Sequence, residues 1–384
     1  MKNLILGIIL LFLFSCSSNP EKTIERNSEE LLIEKPLINY KLNSLPKDIN
    51  VIFFSNPKTQ KPFPEEVKGL LKNYYSFSKR NNYFPTIKFI NLNTVSSCSM
   101  ILNQNAYNFI FFLKNSVNNK PYDLCLNKFI SRDTLIISDF DKQSIPNNYR
   151  SFLVNRDDDK YKLIRMMNSY SNNAMIIDNE FTQDKHEIGE FWKKEFNKEI
   201  AEYKTFYKAE SSQSIFSNLL LLNQSLTRKR KLSRTISKDL DHKLRARQDI
   251  DALFLSVNTQ EARNLKPALD YNYFEGMAVF LANDWEEDVE FLKIDKDLED
   301  IISIDMPFML PSQLPEDLEP LKNRSRNFAI GYDAFQIVML MKGTRNLNTT
   351  TYKGLTGKIT FEKNNIERKS TIFRIKNGIY EYLN

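Results

Sequence analysis

The chain has 384 residues, of which 41% are hydrophobic, enough for two lobes that each bury a core. Only 9 glycines set against an aromatic share of 12% exclude a disordered or low-complexity polypeptide. A net charge of +6 is small for this length and carries no nucleic-acid signature.

Met1-Lys2-Asn3 gives a minimal positive start, and Leu4 to Phe14 is an apolar run of signal-peptide length, too short to span a bilayer as a mature helix. The run ends in Leu13-Phe14-Ser15-Cys16, which resembles a bacterial lipobox, although Phe14 is bulkier than the usual residue there. The resemblance implies removal of residues 1–15 and lipidation of Cys16, with polar Ser17-Ser18-Asn19-Pro20 opening a tether over 16–47. An ordinary secretory signal with a chance cysteine is the competing reading. No aspartate follows Cys16, and the sorting rule that accompanies the lipobox then implies the outer membrane, facing the periplasm. In an oxidising compartment the remaining Cys98 and Cys125 can form a disulfide, but the sequence does not bring their Cα atoms into range.

From Asn50 strands and helices alternate. Val51–Phe54, Ile87–Leu92, Phe109–Leu113, Thr134–Ser138 and Phe152–Val154 read as strands, and Glu65 to Arg80 as a helix with Val67, Leu70, Leu71 and Tyr74 on one face. A second series comprises the strand Asn173–Asp178, the helix His186–Ile200, the strand Glu202–Tyr207 and the helix Ser214–Leu226. Ala252–Val257 is a nearly continuous apolar run of strand length, followed by Asn258 and Thr259 as an N-cap and a helix that Pro267 ends or kinks. Ala278–Ala282 and Ile302–Pro307 are further strands, the latter returning the chain to the first lobe. Gly331 to Phe335 opens a helix, and Gly354 to Phe361 and Ser370 to Ile375 read as closing strands.

Several of these segments are also specific in wording. Arg245-Ala-Arg247-Gln-Asp249-Ile-Asp251, Gln260-Glu-Ala-Arg263 and Lys266-Pro-Ala-Leu-Asp-Tyr271 resemble the LppC/LpoA lipoproteins, activators of penicillin-binding proteins. Ile304-Asp-Met-Pro307, Gly331-Tyr-Asp-Ala-Phe335, Gly354-Leu-Thr-Gly357, Ile366-Glu-Arg-Lys-Ser370 and Arg374-Ile-Lys-Asn-Gly378 extend the resemblance in the same order. It is good from about Gln248 to Gly378 and faint from Asn50 to Glu210. It implies an α/β fold of the two-lobed type I periplasmic-binding-protein kind, with parallel sheets and crossovers between lobes. Lobe 1 is expected over 48–155 plus 308–345, and lobe 2 over 156–307 plus 346–384. Long members of the family carry a helical-repeat domain before this one, and the sequence leaves no room for it.

Catalytic patterns are sparse. His186 and His242 stand in no metal-binding spacing, so neither a metal nor a cofactor is expected, and His186 is read as exposed at a helix start. No nucleophile elbow or phosphate-cradling loop appears, and no enzyme is expected. The runs Asp157-Asp158-Asp159 and Glu286-Glu287-Asp288 are read as solvated faces. A cleft at the carboxyl ends of the strands would use Ser55, Asn56, Asp178, Asn258, Thr259, Asn283, Asp284 and Asp305, with Tyr332 and Asp333 nearby. The same residue types also make turns and caps, which is the plainer account of each.

The densest basic segment holds Arg228, Lys229, Arg230, Lys231, Arg234, Arg245 and Arg247, a surface for an acidic partner or a merely solvated helix. Asp249 and Asp251 are expected to pair with nearby arginines. The resemblance implies a bifunctional penicillin-binding protein as partner, with an outer-membrane lipid anchor and no nucleic acid. The alternative is a small-molecule-binding periplasmic lipoprotein with a hinged cleft.

Overall fold

The computed structural model describes residues 40–53, 64–91, 107–112, 134–138, 150–154, 157–182, 185–241, 245–272, 276–282, 296–310, 314, 318, 324–344, 347, 350–362 and 365–383. Cys16, Ser55, Asn56, Cys98, Cys125, Asn283 and Asp284 lie outside them. Fifteen strands among the described residues form two sheets.

The first sheet is built on β1 (Asp48–Phe53), β2 (Thr86–Asn91), β3 (Tyr107–Phe112), β4 (Thr134–Ser138) and β5 (Arg150–Leu153), parallel in the order 2-1-3-4-5. The second repeats that order with β6 (Ala174–Asn179), β7 (Glu202–Phe206), β8 (Ala252–Ser256), β9 (Ala278–Leu281) and β10 (Ile301–Asp305). Strands β6, β8 and β10 are buried along their whole length, as their mostly apolar sequences require when both faces of a parallel sheet are covered.

The C-terminal strands divide between the sheets. β11 (Thr351–Lys353), β12 (Lys358–Glu362) and β13 (Asn365–Lys369) join the first sheet, β13 lying parallel to β5; β14 (Thr371–Lys376) and β15 (Ile379–Leu383) join the second, β14 antiparallel to β10 and β15 antiparallel to β14. The expectation that all of 346–384 belongs to lobe 2 is thus corrected for 351–369. Alternation announces a strand, but the pairing of β13 with distant β5 leaves no local trace. The chain crosses between sheets after β5, after β10 and at Ser370.

Seven α-helices lie among the described residues: α1 (Glu65–Asn81), α2 (Asp157–Tyr170), α3 (Lys185–Phe196), α4 (Ser212–Leu219), α5 (Leu222–Ile236), α6 (Thr259–Tyr271) and α7 (Arg326–Gly343). The α7 helix is apolar nearly all round, which explains its position in the core of lobe 1, where Ala329, Phe335, Ile337, Val338 and Leu340 are buried. It begins at Arg326, five residues before the expected Gly331, with Ser325 accepting from the Phe328 N–H as its N-cap.

The crossing of α1 and α7 is set by two glycines. A Cβ on Gly331 would stand 1.7 Å from the Glu66 carbonyl oxygen, and one on Gly69 would stand 1.9 Å from that of Phe328. The helices therefore touch backbone to backbone, and Asn73 donates to the Tyr332 carbonyl at 2.7 Å across the contact.

Residues 40–47, assigned to the tether, are packed on this helix pair. Tyr40 lies edge-on to Phe77 and accepts from Gln336 at 2.6 Å, Lys41 donates its N–H to Gly343, and Leu45 is buried. The single helix expected over Ser214–Leu226 is two helices, because Leu221 takes a left-handed conformation at φ 57°. Pro267 does not end α6, which continues to Tyr271 with Ala262, Leu265, Ala268 and Leu269 buried beneath it.

Candidate functional site

In 2-1-3-4-5 sheets the place for a ligand is the carboxyl edge at the switch point, here between β6 and β8 in lobe 2. Asn258, expected there, is bonded into a local network. Asn179 accepts from the Thr182 N–H at 2.7 Å and donates to Glu261 at 2.8 Å. The same Glu261 oxygen accepts from the Asn258 N–H at 3.0 Å, and Asn258 caps Glu261 N–H in return at 2.9 Å, a reciprocal capping box. Thr182 donates to the Ser256 carbonyl at 2.9 Å and closes the edge. Asp178 and Thr259 are buried. Among the described residues at this edge, Asn258 is thus held in a turn-and-cap network with Asn179, Thr182 and Glu261.

Of the other expected cleft residues, Asp305 joins the two lobes, while Tyr332 and Asp333 are buried within lobe 1. Asp305, the last residue of β10, forms a buried ion pair with Arg326, the first of α7; Nε reaches Oδ1 at 3.2 Å, and Nη2 donates to Oδ2. This pair stands at the second crossing. Tyr332 is buried in the lobe 1 core. Asp333 is fully buried and receives four hydrogen bonds: from the Tyr352 hydroxyl at 3.0 Å, Leu355 N–H at 3.0 Å, Thr356 N–H at 2.7 Å and the Thr356 hydroxyl at 2.6 Å. Burial pushes its carboxyl up to about 6 against the opposing pull of these donors. A Cβ on Gly354 would stand 2.5 Å from the Asp333 carboxylate, so the Gly354–Gly357 turn wraps this side chain closely.

A second joint corrects the reading of Asp157-Asp158-Asp159 as a solvated run at Asp159, while Asp158 is exposed as expected. Asp159 is held at 2.6 Å by Arg368 of β13 and at 2.8 Å by the Ser370 hydroxyl at the third crossing, while Lys162 lies 3.4 Å away. Burial alone would raise the Asp159 carboxyl; Arg368, Lys162 and the hydrogen bonds outweigh it and hold it below its ordinary value. Each passage between lobes is thus flanked by a buried, ion-paired arginine. No sequence signal separated Asp159 from its two exposed-looking neighbours.

The basic segment forms a surface of its own. A groove of about 600 Å³ runs between α5 and the described residues 240–241 and 245–248, and Arg228, Lys229, Arg245 and Arg247 line it together with Leu221 and Leu232. Arg247 is committed, forked onto Asp249 at 2.8 and 2.5 Å and reaching Glu202 at 3.3 Å. Asp251 takes no arginine; it accepts from the Ser171 hydroxyl and the N–H groups of Asn172 and Asn173 at 2.6 to 3.0 Å. Lys229 faces Asp239 at 3.5 Å, whereas Arg230, Lys231 and Arg234 are exposed on α5 outside the groove. His186 is exposed and stacks over Tyr203. Among the described residues no cluster of His, Cys, Asp and Glu suits a metal ion, and no helix is long and apolar enough to cross a membrane.

The family model described as LppC putative lipoprotein matches residues 185–378. The chain belongs to the LppC lipoprotein family. The match takes in α3 to β14 and with them Arg326, Asp333, Thr356 and Arg368 of the interlobe joints and their surroundings. No curated protein matches the sequence. Among solved structures, full-length LpoA from Haemophilus influenzae superposes with a TM-score of 0.55 at 13% identity, over 90% of this chain and 60% of that one. The chain thus spans about three fifths of full-length LpoA. The LpoA C-domain from the same organism, described as a regulator of PBP1A, gives 0.56 at 13% identity, over 88% of this chain and 100% of that one. A putative branched-chain amino acid ABC transporter protein from Rhodospirillum rubrum gives 0.56 at 10% identity, over 88% and 100%. At such identities these likenesses show the fold, a two-lobed periplasmic-binding-protein-like α/β architecture shared by regulators and transport proteins.

Proposed function

We propose that this LppC-family lipoprotein is anchored to the outer membrane through Cys16 and regulates peptidoglycan synthesis by binding and activating a bifunctional penicillin-binding protein. The family match carries the reading, and the full-length overlap with the C-domain of a PBP1A regulator supports it. The activator does no chemistry. Docking stabilises an active conformation of the synthase by as much as the two conformations differ in affinity for it. The contact lies on the basic side from Arg228 to Arg247, whose exposed cations make the association salt-sensitive.

A hinged small-molecule cleft is the competing account, and the branched-chain amino acid transporter likeness is what favours it. The Asn179–Glu261–Asn258 network, which occupies the switch point of lobe 2, speaks against it.

Capture from detergent-solubilised membranes on the immobilised full chain tests the regulator reading. A bifunctional synthase is recovered at low salt and released as salt rises. Recovery of none, together with a small molecule that stabilises the protein, would replace this reading with the cleft. Metabolic labelling with a palmitate analogue marks the wild type and misses Cys16→Ala; equal labelling of both contradicts the anchor.

A further inference from the structure

The left-handed Leu221 separates α4 from α5, and among the residues of α5 only Leu222 and Ser225 are buried. A helix of this length has little stability of its own in water. Yet its groove side is apolar as well as basic. Ser225, Arg228, Leu232 and Ile236 follow at three- and four-residue spacing and share one face. Leu232 and Ile236 are 53% and 52% exposed, and across the groove stand Leu240 and Ala246. Among the described residues Arg228 bonds only to the Gln224 carbonyl, and Arg245 has no carboxylate partner; Asp241 is the one acid in the lining. The surface therefore has an apolar strip with cations on both banks, and it is concave.

We propose that this groove receives an acidic segment of a partner protein, with a leucine-like side chain seated on Leu232 and flanking carboxylates on Arg228 and Arg245. The proposal deepens the regulator reading and rests on it for the partner, which is then the synthase. Charge complementarity selects the acid: carboxylates on a partner chain would give these two guanidiniums the charge-assisted bonds they otherwise lack. The Leu232–Ile236 strip selects an apolar anchor rather than charge alone. Concavity favours a chain segment over a flat lipid surface, since a groove of this volume admits a few side chains but not a bilayer plane.

The test uses the purified full chain and a short fluorescein-labelled peptide in which glutamates flank two leucines one helical turn apart, read by fluorescence anisotropy. Arg228→Glu and Leu232→Asp alter exposed groove residues, and Lys358→Glu, at an exposed position of β12, is the charge-matched control. Circular dichroism verifies that all are folded. The wild type and Lys358→Glu bind the peptide; each groove variant binds about tenfold or more weakly, and replacing the peptide's leucines by serine costs as much. No binding, equal binding by the groove variants, or undiminished binding of the serine peptide overturns the proposal. So does co-sedimentation with phosphatidylglycerol vesicles that displaces the peptide and is lost in Leu232→Asp, which would assign the face to lipid. Synthase captured equally by wild type and groove variants leaves the regulator reading standing and overturns the groove. Peptide binding lost in both variants, with no synthase captured, supports the groove and removes the regulator reading.

Discussion

Asp333 shows how a polar residue in an α/β sheet protein can mimic a ligand contact while serving the fold. It stands where a returning helix would meet a cleft, yet four donors from β11 and the following turn converge on it. Asp333→Asn puts an amide N–H₂ against two of these donors. Each donor left unsatisfied costs about 1–3 kcal/mol, measurable by urea denaturation. Since burial raises the carboxyl to about 6 from an ordinary value of 3.8, the folded state holds this proton more tightly than the unfolded chain. The group's contribution is then complete below its ordinary value and is lost as pH rises through 6. The stability gap between wild type and Asp333→Asn should therefore narrow from pH 5 to pH 8. A gap that widens would mean that the four donors, not burial, dominate. Asp305 and Arg326 give a second case: Asp305→Ala removes the buried carboxylate from the Arg326 guanidinium at a cost of about 3–5 kcal/mol, whereas Asp305→Leu with Arg326→Met recovers much of that loss. If the double variant were as unstable as the single one, the pair would not be the source of the cost. Neither role was legible beforehand, because the turn, cap and cleft uses of Asp and Asn share one local signature. Asp159 was read wrongly for a related reason: its partner Arg368 lies 209 residues away.

At the scale of elements, much of the fold could be read directly. The apolar runs at Ala174–Asn179 and Ala252–Ser256 are central parallel strands within a residue of their expected bounds, and the Glu65 helix is confirmed by buried Val67, Leu70 and Phe77. What escaped was set by backbone conformation or by distant pairing: the break at Leu221, the continuation of α6 through Pro267, and the assignment of β11 to β13 to the first sheet. The glycine crossing was equally silent, although Gly331 lies inside a recognisable motif. Its role requires knowing that Glu66 approaches its α-carbon. Gly331→Ala must force α1 and α7 apart, and overpacking of this kind costs about 1–3 kcal/mol or more. Thermal denaturation should show a clear loss for Gly331→Ala, and none for alanine at exposed Gly276 beyond what its positive φ imposes. An unchanged midpoint for Gly331→Ala would contradict the backbone contact.

For the whole molecule, the decisive feature is what lies between the lobes. A transport-type binding protein opens and closes about its crossings. Here the crossings carry the Asp305–Arg326 pair and the Asp159–Arg368–Ser370 cluster, and breaking either uncovers buried charge. The fold is periplasmic-binding-protein-like, and opening it at these joints would separate buried ion pairs. Thermal-shift screening of amino acids, sugars and muropeptides is therefore expected to find no strong stabiliser. A true ligand at a hundredfold excess over its Kd would add about 2.7 kcal/mol. The packing of Tyr40, Lys41 and Leu45 onto the α1–α7 pair also shortens the proposed tether to 16–39.

The most direct test of the account is the rate of glycan polymerisation by a purified bifunctional penicillin-binding protein, measured with and without the full chain across a range of salt. The account predicts a saturable rise in rate that weakens as salt increases and is reduced in Arg228→Glu. An unchanged rate at concentrations where the two proteins are shown to be mixed and folded, in low salt as in high, would contradict it.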